Sequence, residues 1–165
     1  MSDKMRLNGL AANPMRAEQH LEKADRNLEA AESNLESGFH EVAVNRSYYA
    51  AFEAVRAALL KQGAPPPKSH GGLASEFGLR VVKEGHVRQE VGRMLGQLER
   101  DRLIADYEGD IPNSDEAQES LAMARTVVES VRTALFAKVG DSLTKAPPVP
   151  RAKAFKPKSK SGPSP

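Results

Sequence analysis

The chain contains no cysteine and no tryptophan, and only 5% of its residues are aromatic. Without cysteine it has neither disulfides nor thiolate metal ligands, which suits a reducing compartment. No segment approaches the roughly 18–20 consecutive apolar residues of a membrane span, and Met1 to Leu10 lacks the apolar core of a secretory signal. A soluble cytoplasmic protein is the expectation. Alternating strand patterns of useful length are missing. Gly71-Gly72 has no Walker pattern around it, and no serine sits in a nucleophile-elbow context. His20, His40 and His86 have no carboxylate or histidine at ligand spacing, which argues against a metal site, and nothing implies a cofactor.

Strong charge of one sign is also missing from most of the chain. Of 24 basic residues, six lie from Lys145 onward, where there is no acidic residue. The preceding 144 residues hold 18 basic against 22 acidic side chains, a net charge of −4. That body is not the broad basic surface of a generic DNA binder, so any anion site in it must be local. The basic end reads either as a solubilising tail or as a weak, salt-sensitive tether to nucleic acid.

What is present is helical periodicity. At 165 residues the chain fits one domain with room for a real core. Residues 1–12 read as a flexible leader, 13–140 as a helical bundle and 141–165 as a disordered Pro/Lys/Ser-rich tail. Asn13-Pro14 starts a first helix whose stripe Leu21, Ala24, Leu28, Ala31, Leu35 recurs at 3 and 4, ended by Gly38. A second helix runs from about Phe39 to Gln62, with Val42, Asn45, Tyr48 or Tyr49, Phe52, Val55 and Leu59 inward. Ala64-Pro65-Pro66-Pro67 is a stiff extended connector. Ser69 to Lys83 is a shorter helix with Leu73, Phe77 and Val81 inward. His86 to Tyr107 carries Val87, Val91, Met94 and Leu98. Ser114 or Asp115 caps a fifth helix with Leu121, Ala124, Val128, Val131 and Leu135, ended by Gly140. The fold class is all-α, an up-and-down bundle of about five helices.

Two polar clusters stand out. Arg46, Tyr49, Glu53 and Arg56 follow helical spacing as a stripe beside the apolar face. They read either as a solvated face with Glu53 tied to arginines, or as one wall of a groove. Glu99-Arg100-Asp101-Arg102-Leu103-Ile104-Ala105-Asp106-Tyr107 closes the fourth helix. Arg100, Leu103, Ile104 and Tyr107 fall near one face there, and Arg102 can pair with Asp106 four residues on. His70, after the proline run, reads as a cap or surface residue or as a contributor to the same groove.

Asn45-Arg46-Ser47-Tyr48-Tyr49-Ala50-Ala51-Phe52, then Lys68-Ser69-His70-Gly71-Gly72-Leu73, then Arg100-Asp101-Arg102-Leu103-Ile104-Ala105-Asp106-Tyr107 resembles the HEPN domain, over roughly residues 14–138. The resemblance is nearest to small stand-alone prokaryotic members with an R-x-x-A-D-Y ending. It implies a helical bundle that dimerises, and either metal-independent RNA cleavage or partnership with a nucleotidyltransferase in a toxin–antitoxin pair. Arg100 matches the motif arginine, Asp101 its polar neighbour and Tyr107 the tyrosine beyond the motif histidine. The histidine position itself falls on Ala105, and a methyl group supplies neither the base nor the acid that RNA cleavage needs.

Two readings follow. In the first, a homodimer acts in RNA-targeting stress response or phage defence, with Arg100, Asp101, Arg102 and Tyr107 as catalytic candidates. Arg46, Tyr49, His70 and Arg102 are the candidates for holding RNA or a nucleotide. In the second, the chain is a non-catalytic dimeric module that binds a nucleotidyltransferase, a nuclease or a nucleotide. Tyr107 is then the candidate AMP acceptor that the resemblance implies.

Overall fold

The computed structural model describes residues 14–137. The leader 1–12, the cap Asn13, the terminator Gly140 and the basic tail lie outside the described residues. Within them the chain forms α1 (Pro14–Glu36), α2 (His40–Lys61), α3 (His70–Phe77), α4 (Gln89–Tyr107) and α5 (Ser114–Val131). Helix α3 runs on into a π-helical turn over Gly78–Val82, and α5 into another over Arg132–Phe136. Among the described residues there is no strand, and no helix is long and apolar enough to cross a membrane.

Helix α2 is the central element, in contact with every other helix. Its Ala50, Ala51, Ala54, Ala57 and Ala58 are fully buried and let neighbouring backbones approach closely. Any larger side chain there would overpack the seam, at about 1–3 kcal/mol. Leu21, Ala24 and Ala31 of α1 are buried, as are Leu73, Phe77 and Val81 beyond the proline connector. Val87, just ahead of α4, is buried with Val91, Met94 and Leu98 of α4 and Leu121, Ala124, Val128 and Val131 of α5. The 3-and-4 spacing therefore located the core correctly. On α2 it was off by one position at the start: Val42 is exposed, while Ala43, Val44 and Ser47 turn inward.

The helix ends follow local chemistry. At Gly38 and Gly63, φ is +80° and +73°, and the next residue's N–H reaches back to Asn34 O and Leu59 O respectively. Only glycine adopts that turn without strain. Helix α4 begins at Gln89 and not at His86, because the chain is still turning: Gly85 has φ +80° and His86 N bonds to Val81 O. The cap of α5 is Asn113 and not Ser114 or Asp115. Its Oδ1 accepts from Glu116 N at 3.0 Å, and Glu116 Oε2 accepts from Asn113 N at 2.7 Å. Asn113→Ala removes half of that reciprocal pair, and an expected loss of about 0.5–2 kcal/mol would be read from urea denaturation.

The two glycines after His70 do different work. A Cβ on Gly72 would lie 2.7 Å from Ser69 Oγ and 3.1 Å from Pro67 Cβ, whereas one on Gly71 would meet nothing within 4 Å. Ser69 Oγ accepts from Gly72 N at 3.0 Å and so caps α3. Gly71→Ala is expected to be neutral or stabilising by up to about 1 kcal/mol. Gly72→Ala is expected to displace the cap and lower the thermal midpoint, so the two melts should move apart.

Candidate functional site: an arginine over two tyrosines

Three helices converge on one cluster. Helix α2 contributes Asn45, Arg46, Tyr48 and Tyr49, α4 contributes Arg102 and Asp106, and α3 contributes its first residue, His70. Ser69 fixes His70 at the start of α3, and Leu73 and Phe77 anchor that helix in the core.

Arg102 is only 8% exposed. Its guanidinium carbon lies 4.9 Å from the Tyr48 ring centroid and 5.9 Å from that of Tyr49. Arg46 approaches Tyr49 at 5.1 Å, so that ring lies near two cations. The negative faces of the rings attract both guanidinium groups. Arg102 Nη1 reaches Asp106 Oδ2 at 3.4 Å, a long contact, and Asn45 Nδ2 donates to the same oxygen at 3.1 Å. Arg102 Nε is buried without any hydrogen-bond partner. An orphaned buried donor of this kind costs about 1–3 kcal/mol, which the two tyrosine rings offset in part.

The Tyr48 hydroxyl lies 2.5 Å from His70 Nδ1. Burial pushes the Tyr48 pKa well above the ordinary tyrosine value; Glu99 adds to the rise, Arg102 opposes it and Tyr49 adds to it. The hydroxyl therefore keeps its proton at neutral pH and donates to His70 Nδ1. A neutral His70 then carries its own proton on Nε2 and presents a donor there. The Phe52 ring packs at a tilt against the His70 ring, with centroids 4.9 Å apart. The cluster thus offers cations and N–H donors, which is the chemistry of an anion site.

The other candidates are dispersed. Asp101 is buried, but toward α5, where it accepts from Ser120 Oγ at 3.3 Å and from Gln97 Nε2 at 2.7 Å. Burial raises its pKa, against those hydrogen bonds and the charge of Arg100, with Glu119 adding to the rise. Arg100 is exposed and bonds to Gln97 Oε1 at 2.8 Å. Tyr107 is 76% exposed, and Leu103 beside it is also exposed. The face of α4 bearing Arg100, Leu103 and Tyr107 therefore points outward, while Asp101 and Arg102 point in. Ala105 packs against the small group Ala43, Val44 and Ala117.

One pair escaped sequence reasoning. His20 Nδ1 lies 2.5 Å from Glu53 Oε2, across 33 residues. Glu53 is thus tied to a histidine and not to arginines, and Arg46 donates to Asn27 Oδ1 on α1. Arg46, Glu53 and Arg56 thus face the α1–α2 seam while Tyr49 turns toward Arg102 and His70, so the half-buried stripe is no solvated face. No group of three His, Cys, Asp or Glu among the described residues is placed to hold a metal ion.

An all-α bundle with a shielded arginine against two tyrosine rings is the class that fold and site define. The family is narrower: the HEPN domain model matches residues 17–134, and the chain belongs to the HEPN domain family. Among its relatives is a Methanocaldococcus jannaschii protein named "Putative toxin", 37% identical over 93 residues, covering 56% of this chain and 69% of the relative. A second protein of that organism, under the same kind of name, is 34% identical over 104 residues, covering 63% and 70%. A Gloeobacter violaceus protein named "UPF0332 protein" is 37% identical over 94 residues, covering 57% and 68%.

Proposed function

We propose that the chain is the RNA-targeting member of a toxin–antitoxin-type pair, acting in the cytoplasm as a homodimer in stress response or phage defence. The observation that carries this reading is the buried, unpartnered Nε of Arg102 above two tyrosine rings. A phosphodiester oxygen is the acceptor that this reading assigns to the Arg102 guanidinium, and the toxin names of two relatives support the setting. Arg102 would seat the phosphate, Arg46 would add charge and His70 Nε2 would donate to it. In cleavage, the 2′-oxygen attacks phosphorus as its proton passes to water, and the P–O5′ bond breaks as the 5′-oxygen takes a proton from water, which leaves a 2′,3′-cyclic phosphate; Arg102 would stabilise the developing charge. Ala105 supplies no base, so the rate is expected to fall on the order of 10²–10⁴ below that of a fully equipped site.

The exposure of Tyr107 favours a second reading, a module that docks a nucleotidyltransferase with Tyr107 as AMP acceptor. Leu103, Ile111, Phe39 and Val42 are exposed as well, and Asn45 of α2 bonds to Asp106 beside Tyr107. The deciding experiment incubates total RNA and tRNA in EDTA with wild type and with an Arg100→Ala/Arg102→Ala/Tyr107→Phe variant. Binding or slow cleavage by wild type alone supports the first reading. Inert RNA that neither protein binds sinks it in favour of the second.

A further inference from the structure

Away from the Arg102 cluster, the α1–α2 seam opens into a pocket of about 460 Å³. Arg16, Lys23, Arg26 and Arg56 line it, together with the His20–Glu53 pair. Among the described residues none of those four cations has a carboxylate within salt-bridge distance, and the pocket's other acidic residue is Glu22. Arg56 Nε is buried and has no hydrogen-bond partner. The guanidinium rests 5.5 Å from the Phe52 ring centroid, so it is held in place and not waving in solvent.

The Glu53 carboxylate is engaged by His20. Burial pushes its pKa up, but the His20 hydrogen bond and the charges of His20, Lys23 and Arg56 bring it below the usual value. Ionised Glu53 therefore accepts from His20 Nδ1, and the free ring nitrogen of His20 is Nε2. No Phe, Tyr or Trp lines the pocket, and its lining is dominated by cations. The pocket shares no lining residue with the Arg102 cluster. Phe52, whose ring lies 6.0 Å from that of Tyr48, stands between the two.

We propose that this pocket is a second anion site, which binds adjacent phosphate groups by charge, with Arg56 as the inner donor and Lys23 and Arg26 at the rim. The phosphates belong either to a free polyphosphate or to an RNA backbone. The site stands whether or not the Arg102 cluster binds RNA.

Pyrophosphate is titrated into the full chain by calorimetry at low salt. The variants are Lys23→Gln/Arg26→Gln, Arg56→Lys and, as control, Lys83→Gln, an exposed lysine of neither site. Arg102→Ala reports any pyrophosphate held at the other cluster. Lys23 and Arg26 are exposed, so their double variant keeps the fold, and circular dichroism checks it. The expected result is wild-type binding that weakens about ten- to hundredfold in both pocket variants and is unchanged in Lys83→Gln. No binding by wild type, or binding by both pocket variants equal to that of wild type, overturns the proposal, as does a loss confined to Arg102→Ala. A second arm measures the salt dependence of binding to a single-stranded RNA. A slope shallower by about 0.7 per removed charge in the double variant assigns the phosphates to RNA; an unchanged slope with pyrophosphate binding lost assigns them to a free ligand.

Discussion

Arg102→Ala is expected to weaken binding of single-stranded RNA about ten- to hundredfold while leaving a folded bundle. The guanidinium loses its attraction to the Tyr48 and Tyr49 rings, about 0.5–2 kcal/mol, and its contact with Asp106. The same change deletes an orphaned buried N–H, which offsets part of that cost. The net effect on stability is therefore about 1–2 kcal/mol, read from urea denaturation. Arg102→Lys should not restore affinity: an ammonium has no planar fork to lie near two rings and donate sideways. Arg100→Ala serves as the control. Arg100 is exposed and bonds only to Gln97 on its own helix, so its removal is expected to lower the salt slope by about one charge at most. Fluorescence anisotropy with a labelled RNA checks all three. Equal affinity of wild type and Arg102→Ala would make the cluster a packing device for Tyr48.

The bundle was legible because apolar residues at 3-and-4 spacing leave few alternatives. Leu21 to Leu35, Val87 to Leu98 and Leu121 to Leu135 each bury the stripe that the spacing marks. Boundaries were legible where one residue dictates the backbone, as at Gly38 and Gly63, and less so where two candidates compete. Asn113 won over Ser114 and Asp115 because Glu116, three residues on, closes the capping box. The i,i+4 pair of Arg102 and Asp106 was readable, since helical geometry alone sets it. Which face of α4 turns inward was not. Spacing puts Arg100, Leu103 and Tyr107 near one face without saying which way it turns; the Tyr48 and Tyr49 rings of α2 draw Arg102 inward and Ser120 draws Asp101 inward. Local spacing cannot report such cross-helix partners. The same limit hid the Tyr48–His70 and His20–Glu53 contacts, whose members are 22 and 33 residues apart.

The His20–Glu53 pair should dominate the acid lability of the fold. Their side chains are 13% and 16% exposed, so neither has much water to fall back on. His20→Ala leaves the largely shielded Glu53 carboxylate without its donor, and the expected loss is about 1–3 kcal/mol at pH 7. The folded Glu53 pKa lies below the ordinary carboxylate value. Its contribution is therefore fully present above the unfolded pKa, about 4.3, and is lost as pH falls through the folded value. Glu53→Gln should thus be less stable than wild type at pH 7 by about 1–3 kcal/mol, and the gap should close on acidification. Asp101 runs the other way. Its folded pKa is raised by burial, so its contribution is present below the ordinary value and lost as pH rises through the folded one. Asp101→Asn keeps an acceptor for Gln97 and leaves Ser120, whose hydroxyl can turn, a donor to accept from. That variant is expected to equal or exceed wild type at pH 7, by up to about 1 kcal/mol, and to match it near pH 3. Urea denaturation of the three proteins from pH 3 to pH 7 separates the two carboxylates by the sign of the difference. A Glu53→Gln curve parallel to wild type throughout would show that the α1–α2 seam gains nothing from the charge.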